Sequence, residues 1–226
     1  MTFYNVQVIT MEEKIRRLAE GELISGIGFS YNEDTPFAGL NYAITLVVRL
    51  SDAVVDEIED EPTKTYFHHY RTVNAYIDRV EEKLVLLLTM NGYRAAAVPA
   101  SQSVSDFAGR FSHKKCAVRA GLGSIGKSAL FLSKEFGPRV RLGTVFTNAP
   151  LTVKEYKYED LCGDCDICAQ SCGALAIRGV NYAPGMERSE IFDARACSEY
   201  MKKEFQSIGR GAVCGVCMRV CPLGIK

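Results

Sequence analysis

The sequence predicts an α+β domain followed by a small cysteine-rich unit, and three observations carry that expectation. Between about Pro62 and Asn91, the residues Tyr66, Tyr70, Val73, Ile77, Val80, Leu84 and Leu87 recur every three or four positions, the period of one helix face. Around this run lie short segments rich in branched and aromatic residues, the composition of strands. Eight of the nine cysteines fall after Leu161, where the chain becomes irregular.

Taken in order, Met11 to Glu20 sets Met11, Ile15 and Leu18 at helical spacing among charges, and Gly21 supplies a stop. Leu23 to Phe29 and Tyr42 to Leu50 read as strands, with a turn at Asn32 to Pro36. The long helix ends at Gly92, Arg94 to Val98 reads as a short buried strand, and Pro99 leads into a polar loop, Ser101 to Asp106. Loops at strand ends commonly line sites. Ala129 to Leu132 and Val140 to Phe146 read as a strand pair around a turn holding Gly137 and Pro138. A boundary near Pro150 separates residues 1–150 from residues 151–226.

Composition narrows the function classes. With 226 residues, 47% of them hydrophobic, the chain can fill a globular core. Lysine plus arginine equals aspartate plus glutamate, 27 of each, so no overall field draws the chain to nucleic acid or to an anionic membrane. The longest apolar runs, Tyr42 to Val48 and Leu84 to Leu88, are far shorter than a membrane span. Met1 to Ile9 lacks the basic leader and apolar run of an export signal, so a cytoplasmic protein is expected. In that compartment clustered cysteines point to metal rather than to disulfides. Cys116 stands apart and reads as a small core residue.

Cys162, Cys165, Cys168 and Cys172 form a C-x2-C-x2-C-x3-C run, and Cys197, Cys214, Cys217 and Cys221 form a second group with Pro222 following. This is the ferredoxin signature: three thiolates from one tight loop face a single cubane while the fourth reaches the other cluster. The expected sets are Cys162, Cys165, Cys168 and Cys221 for one 4Fe-4S cluster, and Cys172, Cys197, Cys214 and Cys217 for the other. Crossed ligation of this kind holds the centres roughly a dozen ångströms apart. Paired zinc sites are the competing assignment, but zinc seldom takes three cysteines at this spacing with a fourth three residues on. Gly173 stands where a proline usually follows the fourth cysteine.

Gly121 to Ser128, GLGSIGKS, satisfies the phosphate-loop expression G-x4-G-K-[ST]. Its context argues against nucleotide hydrolysis, because His113 to Ala120 before it is basic and polar rather than a buried strand, and no strand ending in a magnesium-binding aspartate follows.

The segment AVRAGLGSIGKSALF, the later LGTVFTN, both cysteine groups and DARACSEYM around Cys197 together resemble the epoxyqueuosine reductase family, over about Ser101 to Pro222. Reductive dehalogenases are more distant relatives with the same combination. The resemblance implies a nitroreductase-like, cobalamin-binding domain followed by a two-cluster ferredoxin-like domain. It implies a corrinoid held under Gly121, Leu122, Gly123, Ser124, Ile125, Gly126 and Lys127, and reduced by the nearer cluster to cobalt(I). Ser124 stands where the family usually carries an aromatic residue. The family's acidic proton donor lies a dozen residues before the arginine matching Arg119; counting back lands on Phe107, with Asp106 one step off, which makes Asp106 the candidate acid. The tRNA-modifying members continue into a helical-repeat domain after the position of Pro222. Without it, and with neutral net charge, a tRNA substrate is not expected. Short relatives with a segment like Ser112-His113-Lys114 before the glycine loop match better.

Other polar residues each have a plainer structural alternative. His69 and Asn74 flank the apolar stripe of the long helix and could reach a ligand, whereas Tyr66 and Tyr70 sit on the stripe as core and His68 is solvated. His69 and His113 join Asp106 as candidate proton donors. Ser101, Gln102 and Ser103 could bond corrinoid side chains, although ordinary turn chemistry explains them too. His113, Lys114, Lys115 and Arg119 make a basic patch for phosphate, an acidic substrate or simply solvent. Arg139 and Arg141 share one strand face and stay undecided. The reading is an iron-sulfur, corrinoid-dependent oxidoreductase acting on a small molecule, supplied by an external donor such as ferredoxin or flavodoxin, with a homodimer as the oligomer its fold suggests. The alternative is a non-catalytic electron carrier or reductase partner. A flavin in place of the corrinoid rests on fold analogy alone.

Overall fold

The computed structural model describes residues 9–102, 107 and 109–225. Helix α1 (Met11–Gly21) opens with a capping box in which the Thr10 hydroxyl and the Glu13 carboxylate each bond the other's main-chain N–H. Strands β1 (Gly26–Tyr31) and β2 (Tyr42–Arg49) follow, then a short α2 (Asp52–Asp56) and the long α3 (Lys64–Met90), which Thr63 caps through the Tyr66 N–H. After β3 (Ala95–Val98) come α4 (His113–Arg119), the hairpin of β4 (Gly123–Ile125) with β5 (Phe131–Ser133), and β6 (Val140–Thr147). The C-terminal part holds α5 (Ile167–Gln170), α6 (Arg188–Ile191), α7 (Ala194–Glu204) and α8 (Val216–Arg219).

The main sheet runs β1-β2-β6-β3, every neighbouring pair antiparallel, with Ile44 opposite Val145 and Ala97 opposite the same Val145 from the other side. Both faces are covered, so β2 and β6 are buried along almost their whole length instead of alternating. On one face Ile44, Leu46 and Val145 pack against Ile15 of α1 and Val80, Leu84 and Leu88 of α3. On the other, Val47 and Leu142 pack against Ala117 of α4 and Phe131 of β5. Cys116 is fully buried there among Leu40, Ala43, Val98 and Phe146.

The helix α3 comes unusually close to β6 at Gly143, where a Cβ would lie 2.4 Å from Ile77 Cγ2 and 2.7 Å from Glu81 Oε1. That bare strand position admits Glu81, 1% exposed, whose Oε1 accepts the Thr144 N–H. Burial pushes the Glu81 carboxyl up to about 9, so it is held as the neutral acid at physiological pH.

The cysteine-rich part is not a free appendage. Leu50, Val55, Ile58 and Tyr66 share one apolar cluster with Val213, Val216 and Met218. The buried guanidinium of Arg139 bonds Asp52 at 3.1 Å and Asp56 at 2.8 Å, and Arg219 approaches Asp56 at 3.5 Å. Gly137, at φ 55°, lies against the main chain of Leu223, where a Cβ would meet the carbonyl at 2.5 Å.

Two expectations are corrected. The stretch 129–132 does not pair with 140–146: β5 pairs with β4, inside the glycine segment, and β6 instead enters the middle of the main sheet between β2 and β3. The hairpin closes because Ala129 takes φ 57° and the Gly126 N–H reaches the Leu130 carbonyl at 2.9 Å. The region after Leu161 is also less irregular than its composition suggested, since α7 runs eleven residues with Asp193 capping the Ala196 N–H at 2.9 Å.

Two measurements test this architecture. Gly143→Ala should destabilise the fold by about 1–3 kcal/mol through overpacking between α3 and β6, read as a lower denaturation midpoint. Glu81 carries a folded pKa above its ordinary value of 4.5, so its contribution to stability is complete below that value and is lost as pH rises through about 9. Anaerobic denaturation midpoints should therefore fall more steeply with pH for the parent protein than for Glu81→Gln. Parallel curves would contradict a buried neutral acid.

Candidate functional site

The eight C-terminal thiols fall into two sets. Burial raises the Cys168 thiol to about 11, and the neighbouring thiols that add to the rise are Cys162, Cys221 and Cys165. Cys221 is likewise raised by burial, against the N–H groups of Leu223 and Gly224 that point at its sulfur, and its thiol neighbours are Cys162 and Cys165. Burial raises Cys197 to about 11, with Cys214 and Cys172 adding to it. Cys217 is pushed up most strongly by burial, beside Cys214, Cys197, Cys168 and Cys172. The groups are thus Cys162, Cys165, Cys168 and Cys221, and Cys172, Cys197, Cys214 and Cys217, with Cys168 the link between them.

All nine cysteines are free thiols, and among the described residues no three metal-binding side chains converge on a point the size of a single ion. Sulfurs about 2.3 Å from one tetrahedral zinc would crowd within about 4 Å of each other. The second set instead stands around open space, lining a cavity of about 750 Å³. That arrangement suits a cubane with an iron for each thiolate better than one ion.

The glycine segment serves the first set. Gly126 leaves room for Cys162, whose sulfur would lie 3.2 Å from an added Cβ, and the Lys127 N–H points at the same sulfur at 3.5 Å. The Lys127 ammonium bonds Asp166 at 2.7 Å. Gly123 is pressed against the Leu132 carbonyl within the hairpin, Ser124 is fully buried, and Gly121 lies against the Tyr156 ring. No helix follows Lys127, so the amides form no phosphate cradle.

A second cavity, of about 810 Å³, lies between α4, β6 and the segment 178–194. Ser101, Gln102, His113, Lys114 and Ile125 are in its wall, and Phe107, Phe111, Leu130, Tyr182 and Phe192 give it a largely apolar lining. Ser101, Lys114, Ala129, Leu130, Arg141, Arg188 and Phe192 wall both cavities, so the space beside the second thiol set adjoins the larger one across a shared wall.

Of the candidate ligands in the glycine segment, Ile125 is the one in this wall; Leu122 packs against Gly28 and the cluster of Val47 and Ala117, Gly121 lies against Tyr156, and Gly123, Ser124, Gly126 and Lys127 face the hairpin or the first thiol set. Arg119 points elsewhere, holding Asp34 and, at 2.7 Å, Asn32. His69 accepts the Ser51 N–H through Nε2 at 3.0 Å, away from the cavity wall. His113 is in the wall, but both ring nitrogens are engaged, Nε2 with the Pro99 carbonyl at 3.1 Å and Nδ1 with Thr144 Oγ1 at 2.9 Å. A carbonyl can only accept, so Nε2 carries the proton, and burial lowers the ring to about 4 and keeps it neutral. That makes His113 a poor proton donor at neutral pH. Asp106 and Ser103 lie outside the described residues.

Several wall residues escaped sequence reasoning. Arg141 was visible only as one of two alternating arginines, and its role depends on α3, where Asn74 Oδ1 accepts from its Nε at 2.8 Å. Tyr182, Arg188 and Phe192 lie in and around the one-turn α6, a stretch too short to carry a spacing signal.

Comparison with known proteins agrees with this geometry. Residues 161–224 match the model of the 4Fe-4S double cluster binding domain. Over 118 residues the chain is 33% identical to tetrachloroethene reductive dehalogenase of Sulfurospirillum multivorans, covering 47% of this chain and 22% of that protein. Over 116 residues it is 35% identical to epoxyqueuosine reductase of Vibrio cholerae, covering 47% of this chain and 29% of that one. These matches thus span less than a third of either relative's length. Among solved structures, a reductive dehalogenase described as suggesting a mechanism for B12-dependent dehalogenation superposes over 100% of this chain and 34% of its own, with TM-score 0.78 and 17% identity, which shows the fold. Among the described residues no helix is long and apolar enough to cross a membrane. The chain is a relative of the epoxyqueuosine reductases and the reductive dehalogenases, and its residues 161–224 belong to the 4Fe-4S double cluster binding domain.

Proposed function

We propose that the protein is an iron-sulfur oxidoreductase in which two 4Fe-4S clusters feed electrons to a corrinoid in the larger cavity, for reduction of a small organic substrate. The observation that carries this reading is the shared wall: the space lined by Cys172, Cys197, Cys214 and Cys217 lies against the larger cavity, with Lys114, Arg141, Arg188 and Phe192 among the residues between them. In this assignment Cys162, Cys165, Cys168 and Cys221 hold the first cluster and the other four hold the second. Residues 1–150 supply most of the cavity and residues 151–226 the clusters. The named relatives act on epoxyqueuosine and on tetrachloroethene, and the electrons would come from an external donor such as ferredoxin or flavodoxin.

The residues present fit a corrinoid. Gln102 Nε2 is a buried donor without a described partner, beside the cavity, while its Oε1 accepts the Arg110 N–H at 2.7 Å. A macrocycle fringed with amide carbonyls would satisfy it. Ser101 and Lys114 are further polar handles, and Phe107, Phe111, Tyr182 and Phe192 offer apolar surface to a macrocycle. His113 has no free ring nitrogen with which to ligate a metal. A bound corrinoid supplies a low-potential metal centre able to reduce or attack an organic molecule. The chain's own part is to hold the ring beside the second cluster and deliver a proton. Lys114, lowered by burial to about 8, remains a proton-bearing group in the wall, and Asp106 remains the candidate carboxyl.

Titrating reconstituted protein with cobalamin should shift its visible bands toward the base-off form. Unchanged bands would favour the electron carrier. The two thiol sets make a separate expectation: Cys221→Ser and Cys217→Ser should each lower iron from about eight to about four per chain. The first should spare the cluster of Cys172, Cys197 and Cys214, and the second that of Cys162, Cys165 and Cys168. Loss of one and the same cluster in both variants would refute the crossed assignment.

A further inference from the structure

Lys127 belongs to the glycine motif, yet it walls neither cavity and faces the first thiol set. The hairpin of β4 and β5 turns beside it: the Gly126 N–H reaches the Leu130 carbonyl at 2.9 Å, and the Ala129 N–H reaches the Gly126 carbonyl at 2.8 Å. The turn presents the Lys127 N–H to the Cys162 sulfur at 3.5 Å. The side chain is 6% exposed, and its ammonium bonds Asp166 Oδ1 at 2.7 Å. Asp166 stands between Cys165 and Cys168, in the loop that carries three of the four thiols. An ammonium kept from water needs a paired charge, and Asp166 supplies it. The carboxylate is 47% exposed, so the pair lies at the surface with its positive end covered.

That positive charge reaches one thiol set. Burial raises the Cys162 thiol and the Lys127 N–H opposes the rise; of the charges nearby, Asp160 adds to it and the Lys127 ammonium opposes it. Asp160 also accepts the Cys162 N–H at 2.9 Å. Farther out, Lys134 meets Glu159 at 3.6 Å with both side chains exposed, so solvent screens that pair. Burial raises Cys197, Cys214 and Cys217 as well, but the charges that add to it there are those of other thiols. The second set has separate cations, Lys114, Arg141 and Arg188, in its cavity wall. Main-chain N–H groups point at sulfurs of both sets, at Cys162 and Cys221 in the first and at Cys172 and Cys214 in the second, so these dipoles do not tell the clusters apart. A covered ammonium does. Reduction adds one electron, and so one negative charge, to a cubane, and a positive charge held nearby stabilises the reduced form.

We propose that Lys127 sets the reduction potential of the first cluster: its ammonium, held by Asp166, raises that potential, while its N–H and the bare Gly126 fix the Cys162 sulfur. The proposal rests on the cluster assignment argued above and gives the lysine of the glycine motif a part in electron transfer. Lys127 acts through Cys162 and is a positioning residue.

The test is a redox titration of the anaerobically reconstituted full-length protein, followed by electron paramagnetic resonance. Iron is measured first: a parent protein short of about eight irons per chain overturns the cluster reading and this proposal with it, whereas a full complement isolates the role of Lys127. Lys127→Gln should then lower one of the two potentials by at least roughly threefold in the reduction equilibrium constant, about 28 mV for a one-electron couple, and leave the other within about twofold. The affected potential should be the one that persists in Cys217→Ser and is missing from Cys221→Ser. Lys127→Arg keeps the charge and should stay within about twofold of the parent. Asp166→Asn removes the opposing charge with the lysine still in place, and it should raise the same potential. Two unmoved potentials in Lys127→Gln, equal shifts of both, or a fall in Asp166→Asn matching that in Lys127→Gln overturns the proposal. Loss of about four irons from Lys127→Gln and Asp166→Asn alike also overturns it, because the pair would then brace the loop without setting a potential.

Discussion

The structure turns on the way the C-terminal chain passes twice through the same small volume. Cys221 returns to the thiols of Cys162, Cys165 and Cys168, and Cys172 leaves that loop to stand with Cys197, Cys214 and Cys217. Neither set can be completed by one stretch of chain. The segment between them must therefore fold back, and much of it does so as a loosely structured wall, residues 178–194, that also bounds the larger cavity. Thiol pairing and cavity formation are two results of one chain path.

That path is fixed against the α+β part by contacts of ordinary kinds. Val213, Val216 and Met218 share an apolar cluster with α2 and α3, and Arg139 at the start of β6 holds Asp52 and Asp56 in the same region. The carboxylates are substantially exposed, so solvent screens their pairs, and the apolar burial contributes more to holding the two parts together. On the opposite side, the Gly121 to Ser128 segment braces Cys162 through Gly126 and the Lys127 N–H. Each thiol set is thus anchored by elements from residues 1–150, which ties the cysteine-rich part to the α+β part.

How much of this was legible depended on the range of the physics involved. Cysteine spacing is local, and it announced the iron-sulfur domain that the family match bears out. The period of α3 and the branched segments of β2 and β6 were also local, and those elements appear nearly where the pattern put them. The glycine segment was ambiguous because one string of small residues serves a phosphate loop, a corrinoid cradle or a hairpin. The pairing of β4 with β5 and the Gly126 contact with Cys162 show the segment's backbone as a hairpin beside the first thiol set. Arg141 was illegible for a different reason: its neighbours Asn74 and Tyr70 are some seventy residues away, and its place in the cavity wall exists only after α3 and β6 have met. His113 showed the converse, a residue of reactive type whose ring is committed to Pro99 and Thr144 once the fold is formed.

The most direct test of the interleaved thiols is the electron paramagnetic resonance spectrum of the fully reduced, reconstituted protein. Two cubanes held roughly a dozen ångströms apart are close enough for their electron spins to interact, so the spectrum should show coupling-broadened signals integrating to about two spins per chain. A single sharp signal of about one spin, or a silent protein that holds zinc, would contradict the account.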